Sequence, residues 1–209
     1  MNAVLIEAHY LPSISYFSSL QKSNTIILER HENFVKQSYR NRCYINTSQG
    51  RGVLTVPLTE KHGKVLITDI RIDHTQKWLN NHWRAIQTAY GNAPFFEHYS
   101  DGLHEVLFKK FIFLYDLNYN LLSLCLKWLH WNKEIIESSA YEVIPAAGAI
   151  DLRNSINAKI SLESDKYYIQ VPYNQVFGNM FVENLSLVDL IFCTGPQANQ
   201  FIRYLQSDE

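Results

Sequence analysis

An α/β fold, with a partly parallel sheet flanked by helices and an antiparallel β-hairpin insertion around residues 42–72, is what this 209-residue sequence predicts. Three observations lead there. Short apolar runs of strand length alternate with segments whose apolar residues recur at helical spacing, the pattern of βαβ units. Two segments on either side of Gly50, residues 42–46 and 52–58, read as strands joined by polar residues. No Pro-, Gly- or Ser-rich linker, repeat or low-complexity tract divides the chain, so residues 1–209 are expected to form a single domain.

The elements follow in order. Residues 3–8 form an apolar run broken only by Glu7, suited to a buried strand. His9-Tyr10-Leu11-Pro12 then turns the chain into a helix over 13–21, where Ile14, Phe17 and Leu20 share one face. Residues 25–28 are a second buried strand. Residues 42–46 and 52–58 form a hairpin with a four- to five-residue loop, and 65–72 adds a further strand. Asp73 as N-cap and Gln76 three residues later form a capping box for a helix that runs to Tyr90, its apolar stripe being Leu79, Trp83, Ile86 and Tyr90. Gly91 and Pro94 stop it. Helices over 102–115 and 118–131 are followed by a strand at 134–138, an irregular stretch over 140–165 and a strand at 167–171. Ser186 as N-cap with Asp189 at N3 opens a helix that ends near Gly195-Pro196, where the last helix begins.

Composition narrows the function. Apolar residues make up 46% and charged residues 19%, far from the composition of disordered chains. A net charge of -1 argues against a nucleic-acid polymer as partner, since phosphate contacts need a surplus of Lys and Arg. The three cysteines, Cys43, Cys125 and Cys193, are widely spaced and contain no Cys-x-x-Cys pair, which disfavours a disulfide framework or thiolate zinc site. There is no signal-like N-terminus, and residues 111–126, the best candidate for a transmembrane segment, are broken by Asp116, Asn118 and Asn120. A cytoplasmic location is expected.

Several residues could carry chemistry. His9, with Tyr10 beside it, lies just past the first strand, at the edge where open parallel sheets hold ligands; the alternative is an imidazole that only caps or packs the turn. Lys36, Tyr39, Arg40, Asn41 and Arg42 gather three cations and an aromatic ring within seven residues, an anion site or an ordinary solvated hairpin face. His82 borders the apolar stripe of its helix, as a general acid or base or as a satisfied core residue. Phe95, Phe96 and Tyr99 after Pro94 offer ring faces to a base or sugar, or else fill the core, and Trp78 and Tyr90 are further candidate ligand-binding residues. Tyr173, Gln175 and Asn184 form a polar group near the last strand, whereas Ser186 and Asp189 are explained by capping. His74 and His82 stand eight apart, not the helical zinc spacing, and no metal ligand set is assigned. No Gly-rich phosphate loop, G-x-S-x-G elbow or Asp-x-Asp pair is present, and no cofactor is indicated.

His9-Tyr10-Leu11-Pro12-Ser13 with Tyr16-Phe17, Tyr39-Arg40-Asn41-Arg42 followed by Leu54-Thr55-Val56-Pro57, and Trp78 with His82-Trp83 and Tyr90-Gly91-Asn92-Ala93-Pro94-Phe95-Phe96 form three blocks. With Asn184-Leu185-Ser186 and Asp189-Leu190-Ile191-Phe192, they resemble the WbqC-like family of bacterial surface-polysaccharide gene clusters. Glu7-Ala8 before His9 and Ser15 before Tyr16 depart from the family's pattern. The resemblance implies a cytoplasmic role in building a sugar or its substituent. Two expectations follow: a transferase acting on a phosphorylated or nucleotide-linked sugar, with His9 and His82 catalytic and Arg40 and Arg42 clamping phosphate, or a non-catalytic protein that binds an anionic ligand and meets a partner enzyme or a second copy of itself.

Overall fold

The computed structural model describes residues 3–59, 64–145, 148–157, 167–169, 171–178 and 180–202. Strand β1 (Ala3–Glu7) runs parallel to β2 (Thr25–Glu29) in register from Ala3↔Thr25 to Glu7↔Glu29. Helix α1 (Ile14–Leu20) makes the crossover between them and is buried along its whole length, with the Ser18 and Ser19 hydroxyls donating to the Ile14 and Tyr16 carbonyls. Strand β5 (Glu134–Glu137) pairs with β2, and β6 (Ala149–Asp151) pairs with β1, giving a parallel sheet of order β5-β2-β1-β6. The two inner strands are covered on both faces, so they read as continuous apolar runs rather than alternating ones.

The hairpin is a separate two-stranded sheet of β3 (Arg42–Thr47) and β4 (Gly50–Thr55). Its loop is two residues, shorter than expected, because Thr47 pairs with Gly50 and the Thr47 hydroxyl donates to the Gly50 carbonyl at 2.8 Å while accepting from Gln49 N–H. Residues 65–72 do not form the expected strand. Leu66, Ile72 and Arg71 make isolated bridges to Asn33, Leu58 and Phe113, and Ile67–Asp69 is a 3-10 turn, because three different partners cannot build one ladder.

Helix α2 (Trp78–Tyr90) starts later than the capping box implied. Asp73 instead closes a local turn, accepting from Thr75 N–H at 3.0 Å and Gln76 Nε2 at 2.8 Å. Helices α3 (Phe96–Phe108) and α4 (Leu114–Trp128) replace the expected 102–115 and 118–131 pair; α3 continues through Gly102, and Lys110 breaks the chain at φ 54°. Helix α5 (Leu187–Thr194) is capped as expected, Ser186 Oγ accepting from Val188 N–H, and is buried throughout. The segment Gly195–Gln200 that follows is 3-10 rather than α-helical. Among the described residues of 167–171 no strand occurs, and no described helix is long and apolar enough to cross a membrane.

Candidate functional site at the carboxyl edge of the sheet

From β1 the chain passes to β2 and β5 on one side, and it returns to β6 on the other. The switch in direction therefore lies between β1 and β6, where open α/β sheets form their ligand crevice. All four parallel strands end there on a carboxylate: Glu7, Glu29, Glu137 and Asp151. Buried carboxylates must be paired or neutralised. Glu29 accepts from Ser138 Oγ at 2.6 Å, His31 N–H at 2.8 Å and Arg153 Nη1 at 3.1 Å. Arg153 also clamps Asp151, and Arg30 pairs with Glu137.

Glu7 is the hub of the other half. It accepts Asn154 N–H on both oxygens, at 3.2 and 3.0 Å, and His9 Nε2–H on Oε1 at 3.3 Å, while Arg40 Nη2 stands 3.5 Å from Oε1. Burial alone would push the Glu7 carboxyl up, but the His9 hydrogen bond and the Arg40 charge outweigh it and hold the group below the usual carboxylate range. His9 is 1% exposed, and burial keeps its imidazole neutral against the opposing pull of Glu7. Its ring stacks at a tilt between Tyr16 and Tyr39, at centroid distances of 4.8 and 5.4 Å. Nδ1 meets no hydrogen-bond partner among the described residues.

Arg40 directs its donors inward. Nε and Nη2 form a fork on Glu32 at 2.7 and 2.5 Å, and Nη2 also reaches Asn154 Oδ1 at 3.0 Å. Its charge is therefore matched by protein carboxylates rather than held open for a phosphate. Asn118 on α4 donates to the carbonyls of both Ala8 and Arg40, tying the end of β1 to the loop before β3. The start of α1 is closed as well: Ser15 N–H bonds Asn184 Oδ1 at 3.0 Å, and Ile14 N–H bonds the Leu185 carbonyl.

The remaining expected site residues fall into separate groups. The Tyr10 hydroxyl and His82 Nδ1 share a hydrogen bond, and the His82 ring packs edge-on to Trp78. Asn41 Nδ2 holds the Val56 carbonyl. Tyr90 accepts from Asn46 N–H in the core, beside Asp189, on which the Tyr173 hydroxyl and Gln175 Nε2 both converge. Asp189 is thus more than a helix-capping residue. Lys36 is exposed, and Phe95 lies apart, against Gly195.

On the outer face of the hairpin, Arg42 and Tyr44 alternate to the same side, and Arg51 covers the Tyr44 ring at 3.9 Å. Arg42 Nε is buried without a hydrogen-bond partner among the described residues. Tyr39 bridges inward, edge-on to Tyr44 at 5.9 Å and stacked toward His9. No group of three or more His, Cys, Asp or Glu among the described residues is arranged to hold a metal ion. The sequence reading missed Glu7, Glu29 and Glu32 as partners, and Tyr44 and Arg51 as a face. The one available signal was that Glu7 and Glu29 each close an apolar strand run.

This chain belongs to the WbqC-like protein family, whose model matches residues 7–201. It is similar to the uncharacterized protein Rv1507c of Mycobacterium tuberculosis, at 27% identity over 227 aligned positions that cover 96% of each chain. No solved structure matches it significantly.

Proposed function

We propose that this protein is a cytoplasmic transferase acting on a phosphorylated or nucleotide-linked sugar in surface-polysaccharide biosynthesis, with His9 as its acid–base residue. The observation that carries the reading is the state of one imidazole. Glu7 fixes the Nε2–H tautomer, burial keeps the ring neutral, and Nδ1 is left as a buried lone pair with no partner among the described residues. A carboxylate-oriented neutral imidazole is the arrangement of a general base, and an unsatisfied buried polar atom needs an explanation such as substrate. Glu7 is the positioning residue. Arg42 and Arg51, flanking Tyr44, are suited to the anionic part of the ligand, since Arg40 is neutralised by Glu32 and Glu7. His82, whose Nδ1 is taken up by the Tyr10 hydroxyl and whose ring packs against Trp78, receives no catalytic role in this reading.

The test is to screen nucleotide sugars and sugar phosphates by thermal shift, then follow transfer by mass spectrometry with wild type and His9→Gln. The expected result is stabilisation by a phosphorylated ligand and a loss of turnover of about a hundredfold or more in the variant, with ligand affinity retained. Full turnover in His9→Gln, or no stabilisation by any phosphorylated ligand, overturns the proposal.

One observation favours a second reading, a non-catalytic protein that binds an anionic ligand for a partner enzyme. Glu7, Arg40, Glu32 and Asn154 satisfy one another around a His9 that is almost wholly enclosed. That reading expects binding on the Arg42–Tyr44–Arg51 face with no turnover from any substrate pair.

A further inference from the structure

Away from the sheet's carboxyl edge, α3, α4 and Pro196 enclose a groove of about 660 Å³, within the range of small-molecule sites. Its walls are the rings of Phe95, Tyr99 and Trp128, and Lys127, His98 and His130 also line it. The chain passes from His130 into the amino end of β5, whereas His9 leaves the carboxyl end of β1, so the two sites belong to opposite ends of a parallel sheet.

Two features show that the groove is built rather than incidental. The first is Phe95. Gly195, at φ 53°, lies so close to the Phe95 ring that a Cβ there would stand 2.5 Å from Cδ1, so the ring is held flat against backbone. Tyr99 and Trp128 meet edge-to-face at 5.6 Å. The second is Gly102, in the middle of α3, where glycine is unfavourable for a helix. Nothing in the packing demands it: a Cβ would meet Leu124 Cδ1 at 3.6 Å and Trp128 Nε1 at 4.0 Å, ordinary contacts. Gly102 lines the groove beside Leu124 and Trp128, so a methyl there would take up space within it.

The lining also selects a ligand class. Stacking rings accept a flat apolar group. The lining side chains include no carboxylate and no carboxamide, the groups that hold the hydroxyls of a neutral glycan, while a lysine and two histidines favour an anion. We infer that this groove is a second ligand site, for a nucleoside phosphate whose base stacks among Phe95, Tyr99 and Trp128 and whose phosphates meet Lys127, His98 and His130. It is independent of the role given to His9.

The experiment titrates the full chain with UDP, ADP, uridine and pyrophosphate, read by calorimetry and tryptophan fluorescence. A nucleoside diphosphate should bind and change tryptophan emission, and pyrophosphate alone should bind far more weakly. Gly102→Ala should raise the Tm by about 2–4 °C, because alanine favours the helix, while weakening nucleotide binding about tenfold or more. Lys127→Ala should weaken UDP but leave uridine unchanged, which keeps the idea testable if the glycine variant folds poorly. No binding of either nucleotide, equal binding of pyrophosphate, or affinity unaffected by Gly102→Ala and Lys127→Ala would overturn the assignment.

Discussion

The Tyr10 hydroxyl is hydrogen-bonded to His82 Nδ1 at 2.9 Å, joining the turn after β1 to the middle of α2 across 72 residues of sequence. Burial holds the His82 pKa down to about 4, from 6.5 in an unfolded chain. A histidine whose folded pKa is depressed stabilises the protein fully above the unfolded value and loses that contribution as pH falls from about 6.5 to about 4. The size is on the order of 3 kcal/mol. His9 acts in the same direction, so the contrast with a variant isolates one residue: urea unfolding of His82→Gln from pH 7.5 to 4 should show a flatter decline than wild type. An equally steep decline in the variant would remove His82 from the account.

Arg40 is sandwiched between Glu32 and Glu7 at 2% exposure. Arg40→Met should destabilise by about 3–5 kcal/mol, because it leaves the buried Glu32 without its cation and takes one partner from Glu7. Adding Glu32→Gln should recover part of that loss, a coupling that chemical denaturation of the four combinations measures. Additive losses would mean that the charges do not interact as the geometry requires.

Gly195→Ala combines a backbone angle that disfavours side chains with a Cβ forced into the Phe95 ring. A loss of at least about 2 kcal/mol is expected, visible as a lower Tm. Gly195→Ala combined with Phe95→Leu, which shortens the obstructing ring, should lose less than the sum of the two single variants.

Which parts of this molecule were legible beforehand depends on whether their causes are local. The first two strands, α1 and the Ser186 cap follow from apolar runs and a hydroxyl at the right offset, and the structure has them. Residues 65–72 look like a strand but lack a single neighbour to pair with, and no local pattern reports that. The α3–α4 boundary differs from the expected 102–115 and 118–131 because the real break falls at Lys110, a residue type with no breaker signal. Strand β6 is three residues long and escaped notice. At the site, His9 and Arg40 were marked by residue type, and the structure places them on one carboxylate. What Arg40 does was invisible, because Glu7 and Glu32 become its partners only through tertiary folding. The Tyr10 partner of His82 Nδ1 is likewise brought to it only by tertiary folding.

Asn118 near the start of α4 grips the Ala8 and Arg40 carbonyls, and Trp128 at its other end forms a wall of the groove beneath α3. Ten helical residues make a rigid strut of about 15 Å between them. One helix therefore carries both the amide that fixes the backbone around His9 and the aromatic wall of a groove at the opposite end of the sheet.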